Sequence, residues 1–202
     1  MRAWAILALL TATPLFAGPP LICHPYDIGT AKSLPGGNEG HGVSGSYDRK
    51  NLVPDTLALL TPETPVLVRM ETLRRAAIYA TANLRGWGNG RYTGDDRAFA
   101  SALLEKLRER SKAATGQNRA TALFDLGFYS ETLKQTGIDP TLDGYTLIVK
   151  ALELRGPDPE MEFALAVASA SPKRPEQAGH LAKARNAAPT NALLAANLSS
   201  HF

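Results

Sequence analysis

Cysteine is almost missing from this chain: 202 residues carry only Cys23. A single cysteine excludes an internal disulfide, so stability has to come from packing. The sequence also lacks the second ligand pair that zinc sites show at recurrent spacings, and it has neither a CxxCH haem attachment nor an HExxH helix. A combination of Cys23, His24, Asp27 and His41 is therefore not read as a metal site, and no cofactor is expected. Charge of one sign is scarce too. Lys and Arg number 22 against 19 Asp and Glu, a near balance that gives no footprint for a nucleic-acid partner.

Long apolar runs are confined to the start. Met1-Arg2-Ala3-Trp4 is followed by an apolar stretch that reaches only Phe16 and is interrupted by Pro14. A membrane-spanning helix needs about 20 apolar residues. One basic residue, a short apolar core and a small-residue exit describe a secretory signal peptide instead, with cleavage expected after Ala17. The chain from Gly18 onward would then be exported, periplasmic or secreted, with no membrane span. A lipid anchor on Cys23 is not expected, because Leu21-Ile22 precedes it where a lipoprotein site would have a small residue.

Residues 18–50 are dominated by Gly and Pro, with no helical period. This stretch reads as an irregular arm with a short helix around residues 28–33. Its apolar Leu21, Ile22, Tyr26 and Ile28 should pack on the body, while residues 35–46 should be mobile. Residues 51–202 read as an α-helical domain without a strand. Val66, Met70, Leu73, Ala77, Ala80 and Leu84 form one buried stripe, with Arg69, Arg74 and Arg75 largely off it. Thr93 to Asp96 has capping-box spacing ahead of a helix that buries Phe99, Leu103 and Leu107. The next helix, residues 118–135, carries Gly127 in its middle, where glycine costs about 1 kcal/mol relative to alanine. Close approach of a neighbouring helix explains it. Asp143 and Asp158-Pro159 open two further helices, and residues 175–188 and 190–201 complete the series.

From Ala120 on, the chain resembles the tetratricopeptide repeat. Leu123, Leu126 and Gly127 match first-helix positions; Ile148 and Ala151, then Leu181, Ala184 and Pro189, match second-helix positions. The match is degenerate: the loop 137–142 is long, Gly156-Pro157 adds a residue and Gln177 replaces a usual alanine. The resemblance implies an all-α fold of antiparallel helix pairs stacked as a short right-handed array. It also implies a binding surface on the exposed parts of residues 118–135 and 158–171. The segment Cys23-His24-Pro25-Tyr26-Asp27-Ile28-Gly29 further resembles a group of uncharacterised exported bacterial proteins, a resemblance that implies no activity.

Candidate chemistry is sparse, and no catalytic residue is assigned. Cys23 and His24, with Tyr26 and Asp27, make the most reactive-looking cluster, since a thiol beside an imidazole can be activated; adjacent residues often point apart, however, and a small buried Cys with a His that orders the turn before Pro25 is the favoured reading. Trp87, Arg91 and Tyr92 sit in a glycine-rich loop that could hold sugar or peptide, or could cover helix ends. Residues 40–45 fit GxGxxG but lack the flanking strand and helix that phosphate binding needs. The sequon at Asn197-Leu198-Ser199 is read as incidental. The expectation is a non-enzymatic scaffold with a protein or peptide partner. The alternative is a thiol-dependent enzyme or hydrolase built on Cys23 and His24.

Overall fold

The computed structural model describes residues 18–39, 44–86 and 94–202. The leader and the loop residues Trp87, Arg91 and Tyr92 lie outside the described residues, as does most of the GxGxxG stretch. The protein is all-α. Its helices are α1 (Pro20–Cys23), α2 (Leu52–Leu59), α3 (Val66–Ala80), α4 (Asp96–Ala113), α5 (Gly116–Thr136), α6 (Gly144–Arg155), α7 (Pro159–Ala168), α8 (Gln177–Ala187) and α9 (Ala192–His201). One short strand, β1 (Gly36–Glu39), interrupts the arm, where a mobile loop was expected. The arm's helix is α1; residues 28–33 form a turn instead.

Local chemistry sets the helix boundaries. Asp95 Oδ1 accepts from Arg97 N–H at the start of α4, so the cap is Asp95, two residues beyond the Thr93 of the expected box. Asp143 caps α6 through Thr146 N–H. Asp158 accepts from the N–H groups of Glu160 and Met161, and Pro159 fills the first helical position where its missing N–H costs nothing. Asn191 caps α9 through Leu194 N–H. Gly137 ends α5 in the left-handed region at φ 89°, a conformation glycine adopts without a Cβ penalty.

α5 is the centre of the molecule. Every residue from Ala120 to Leu133 is buried, so the helix is enclosed rather than amphipathic. Residues Met161 to Ala168 of α7 are likewise buried. This overturns the expected binding face on residues 118–135 and 158–171: those helices lie inside the fold. Two expectations on α3 also change. The helix stops at Ala80, leaving Leu84 about half exposed at 51%, and Arg69 and Arg74 are fully enclosed at 1% and 0%. Both arginines are neutralised in place, Arg69 by Asp125 at 2.7 Å and Arg74 by Glu71 at 2.7 Å. A buried charge persists only when paired and hydrogen-bonded, and apolar periodicity does not register such pairs.

The glycine in α5 does what its position suggests. A Cβ on Gly127 would stand 2.6 Å from the Gly144 carbonyl oxygen, and one on Gly144 would stand 2.3 Å from the Gly127 carbonyl oxygen. The backbones of α5 and α6 therefore meet directly, with Ile148 and Leu147 closing the contact. The arm belongs to the same core. Leu21, Ile22, Tyr26 and Leu34 are buried among the residues of α3, α5 and α7. Burying a side chain of this size stabilises the fold by about 1.5–3 kcal/mol before entropy is counted.

Candidate binding cleft beside the N-terminal arm

The arm is held by polar contacts that converge on its backbone. Glu71, 0% exposed on α3, accepts from Tyr26 N–H at 3.0 Å. Arg74, held by that same carboxylate, donates to the Ile22 carbonyl at 2.8 Å, and Arg75 donates to the Leu34 carbonyl at 2.5 Å. Burial would raise the Glu71 carboxyl, but the hydrogen bond and charge of Arg74, the charge of Arg75 and the Tyr26 N–H hold it below the usual range. From the other side, the Asn197 amide mimics a backbone strand. Its Oδ1 accepts from Asp27 N–H at 2.9 Å and its Nδ2 donates to the Asp27 carbonyl at 2.8 Å. Asn197 is 0% exposed, so the folded chain does not present the sequon.

Of the four arm residues singled out by sequence, Tyr26 and Asp27 thus serve as anchor points. The Tyr26 ring stacks parallel on His201 with centroids 4.8 Å apart, and its hydroxyl is pushed far up by burial. His24 meets the same His201 ring edge-on at 5.7 Å. His201 Nδ1 faces the Asn197 carbonyl at 2.9 Å, so that nitrogen carries the proton. Burial lowers the His201 pKa, and the nearby charges of His24 and Arg74 add to the effect. Cys23 is half-buried, and its Sγ lies against the Gly18 backbone, 2.5 Å from where a Cβ would stand. Burial raises the thiol, with the Arg74 and Arg85 charges only partly opposing. The surroundings favour the thiol over the thiolate that a nucleophile needs.

Beside these residues lies a cleft of about 820 Å³. The arm forms one wall through residues 18–20 and His24. The end of α5 contributes Lys134 and Gln135, the turn after α7 contributes Ser171 and Pro172, and His201 and Phe202 close the far side. Gln135 has a defined orientation: its Oε1 accepts from Leu21 N–H at 2.8 Å, while its buried Nε2 has no acceptor.

No family model, curated protein or solved structure matches this chain.

A second polar cluster lies on the helices that follow. The Tyr145 hydroxyl of α6 is 2.9 Å from His180 Nε2 of α8, and His180 Nδ1 is 2.5 Å from Glu162 Oε2 of α7. Lys183 Nζ donates to the other Glu162 oxygen at 2.9 Å, and the Arg174 guanidinium lies over the Tyr145 ring at 4.2 Å. This chain of carboxylate, imidazole and phenol has the order of a proton relay. Burial raises Tyr145, however, so its hydroxyl stays protonated, and the chain works as a staple across α6, α7 and α8. Sequence reasoning missed it, and it missed Gln135, Asn197 and His201. The three residues of the staple come from three helices with no shared spacing, and an amide such as Gln135, which accepts from the arm at Leu21 N–H, looks like any surface amide until the fold places it. Among the described residues no three His, Cys, Asp or Glu side chains converge as a metal site. Among them, too, no helix is long and apolar enough to cross a membrane.

Proposed function

We propose that this chain is an exported, non-enzymatic helical scaffold that binds a protein or peptide partner in the cleft beside its N-terminal arm. The observation that carries the reading is the cleft itself. It is a recess of about 820 Å³ beside the enclosed α5 and α7, and recesses of about 300–1,000 Å³ with a few placed polar groups are what ligands occupy. Repeat-like pairing of α5 with α6 and of α7 with α8, with α9 as the cap, accounts for the small residues at the tightest contacts. Gly127 meets Gly144, and Ala151 and Ala184 are each 0% exposed. Export with removal of residues 1–17 is part of the proposal, and N-terminal sequencing of the protein recovered from the periplasm or medium should begin at Gly18.

Site-specific photo-crosslinking tests the binding role. A photoreactive side chain at Lys134, on the cleft rim, should yield a discrete adduct in the exported fraction. The same group at Lys106, exposed on α4, should not. Identical adducts at both positions, or none at either, would overturn the scaffold reading.

The alternative, a thiol-dependent enzyme, needs Cys23 ionised. The raised thiol predicts that iodoacetamide labels Cys23 more slowly in the folded protein than in the protein unfolded in urea. Faster labelling of the folded form, followed by mass spectrometry, would bring the enzyme reading back.

A further inference from the structure

We infer that the cleft is occupied, for as long as the leader stays attached, by this chain's own residues 14–17, and that cleavage after Ala17 opens it to the partner. The inference rests on the scaffold reading, with its cleft and its removable leader, and adds the device that links the two.

Position comes first. Gly18, Pro19 and Pro20 are themselves part of the cleft wall, so the leader joins the described fold at the recess and not on a remote face. The junction is also held. Gly18 has a φ of 113°, in the region that favours glycine, and a Cβ there would stand 2.5 Å from Cys23 Sγ. Two prolines of restricted φ follow, and Leu21 and Ile22 behind them are 0% exposed. Upstream of this anchor the sequence reads Pro14-Leu15-Phe16-Ala17. Two residues of fully extended chain span about 7 Å, so covalent geometry keeps Phe16 within that distance of Gly18.

Chemistry comes second. Val167, Ala170, Pro172 and Phe202 give the wall a carbon-rich part, which suits the side chains of Leu15 and Phe16. Lys134, His24 and His201 belong to the same wall, so its composition alone admits more than one occupant. Local concentration separates them. A short flexible tether holds a segment at an effective concentration on the order of millimolar, a level that a free peptide or a second copy of the chain would have to match. Hydrolysis of the bond between Ala17 and Gly18 takes up one water and leaves a carboxylate on Ala17 and an ammonium on Gly18. The tether is then gone, the leader competes only as a free peptide, and the recess becomes available after export.

The test uses the full chain, residues 1–202, made in a cell-free system without export machinery so that the leader stays attached. A photoreactive side chain in place of Ser171, exposed in the cleft wall, should form an intramolecular adduct with the peptide containing residues 14–17. Mass spectrometry maps the adduct, and its yield should not change on dilution of the protein. Phe16→Asp in that chain should lower the yield about ten-fold or more, the change that about 1.4 kcal/mol of lost contact produces, with an unchanged thermal midpoint. The adduct in the chain with its own leader decides the matter alone should Phe16→Asp fail to fold. Absence of an adduct on residues 14–17, an equal yield in a folded Phe16→Asp chain, or an adduct that joins two chains and grows with concentration would each overturn the inference. The last result would make a second copy the occupant. Loss of this adduct while the Lys134 adduct persists in the exported fraction would sink the inference alone. This adduct without a Lys134 adduct would keep the self-occupied cleft and sink the scaffold reading.

Discussion

Glu71 shows how one residue can organise a segment distant in sequence. It is fully enclosed, and it accepts from Arg74, Arg75 and the Tyr26 N–H. Two of these guanidinium groups reach on to arm carbonyls, so the carboxylate neutralises the charges that hold the arm. Removing one member of a buried pair costs about 3–5 kcal/mol, because the other charge stays behind. Glu71→Ala should therefore destabilise the protein by about that amount in urea titration. The same residue sets an acid limit. Its folded-state pKa lies below the ordinary 4.5, so the unfolded state binds the proton first. The stability it contributes is present above pH 4.5 and is lost as pH falls through the folded value. Glu71→Gln should show a flatter decline of stability below pH 4.5 than the parent chain, measured as urea midpoint against pH. An equal slope in both would assign the acid limit to other carboxylates.

The scale of the element separates what pattern can show from what only packing shows. The capping aspartates, Asp143 and Asp158, and the stop at Gly137 were legible, because each is a local bargain between a side chain or a φ angle and the ends of a helix. Gly127 was legible for a related reason: an interior glycine is costly enough in a helix to require a compensating contact. The burial of α5 was not legible. Polar residues such as Asp125, Ser130 and Glu131 interrupt its apolar positions, and they find partners inside in Arg69, in the Leu126 carbonyl and in Lys134 with Tyr145 N–H. A binding face was therefore expected where the core lies, and the candidate site moved to the arm, from which sequence had picked His24 but not its partners. The two glycines of α5 and α8 allow a direct comparison. Gly127→Ala would push a Cβ into the Gly144 carbonyl and the side chain of Ile148, so overpacking of about 1–3 kcal/mol should outweigh the gain in helix propensity. Gly179, in the first turns of α8, has nothing within 4 Å of a built Cβ, so Gly179→Ala should stabilise by about 0.5–1 kcal/mol. Opposite signs in urea titration are the expected outcome, and destabilisation by both would remove the close-approach argument.

For the whole molecule, the decisive feature is that both ends of the described chain meet in one place. The arm passes between α3 and α9, and Tyr26 is sandwiched by contacts with Phe128 of α5, Phe163 of α7 and His201 of α9. The arm is thus a clamp that reaches a helix 170 positions away in sequence, and its attachment should respond to pH through His201. The imidazole is neutral in the fold because burial opposes its charge, with His24 and Arg74 adding like-charge repulsion. A base whose folded pKa lies below the unfolded 6.5 binds fewer protons folded than unfolded, so stability falls as pH drops from 6.5 toward the folded value. Protonation also places charge against the Tyr26 ring, buried between other aromatics, at the point where the arm is held. Amide hydrogen exchange at Tyr26 and Asp27, corrected for intrinsic rate, should therefore accelerate between pH 6.5 and pH 5 more than exchange in α5 does. His201→Phe retains the ring that stacks on Tyr26 and removes the titrating group. It should abolish that differential acceleration while leaving the arm protected at neutral pH. Persistence of the pH response in His201→Phe would move its origin away from His201, and loss of protection at neutral pH would show that the imidazole hydrogen bond to Asn197, rather than the stacked ring, holds the clamp closed.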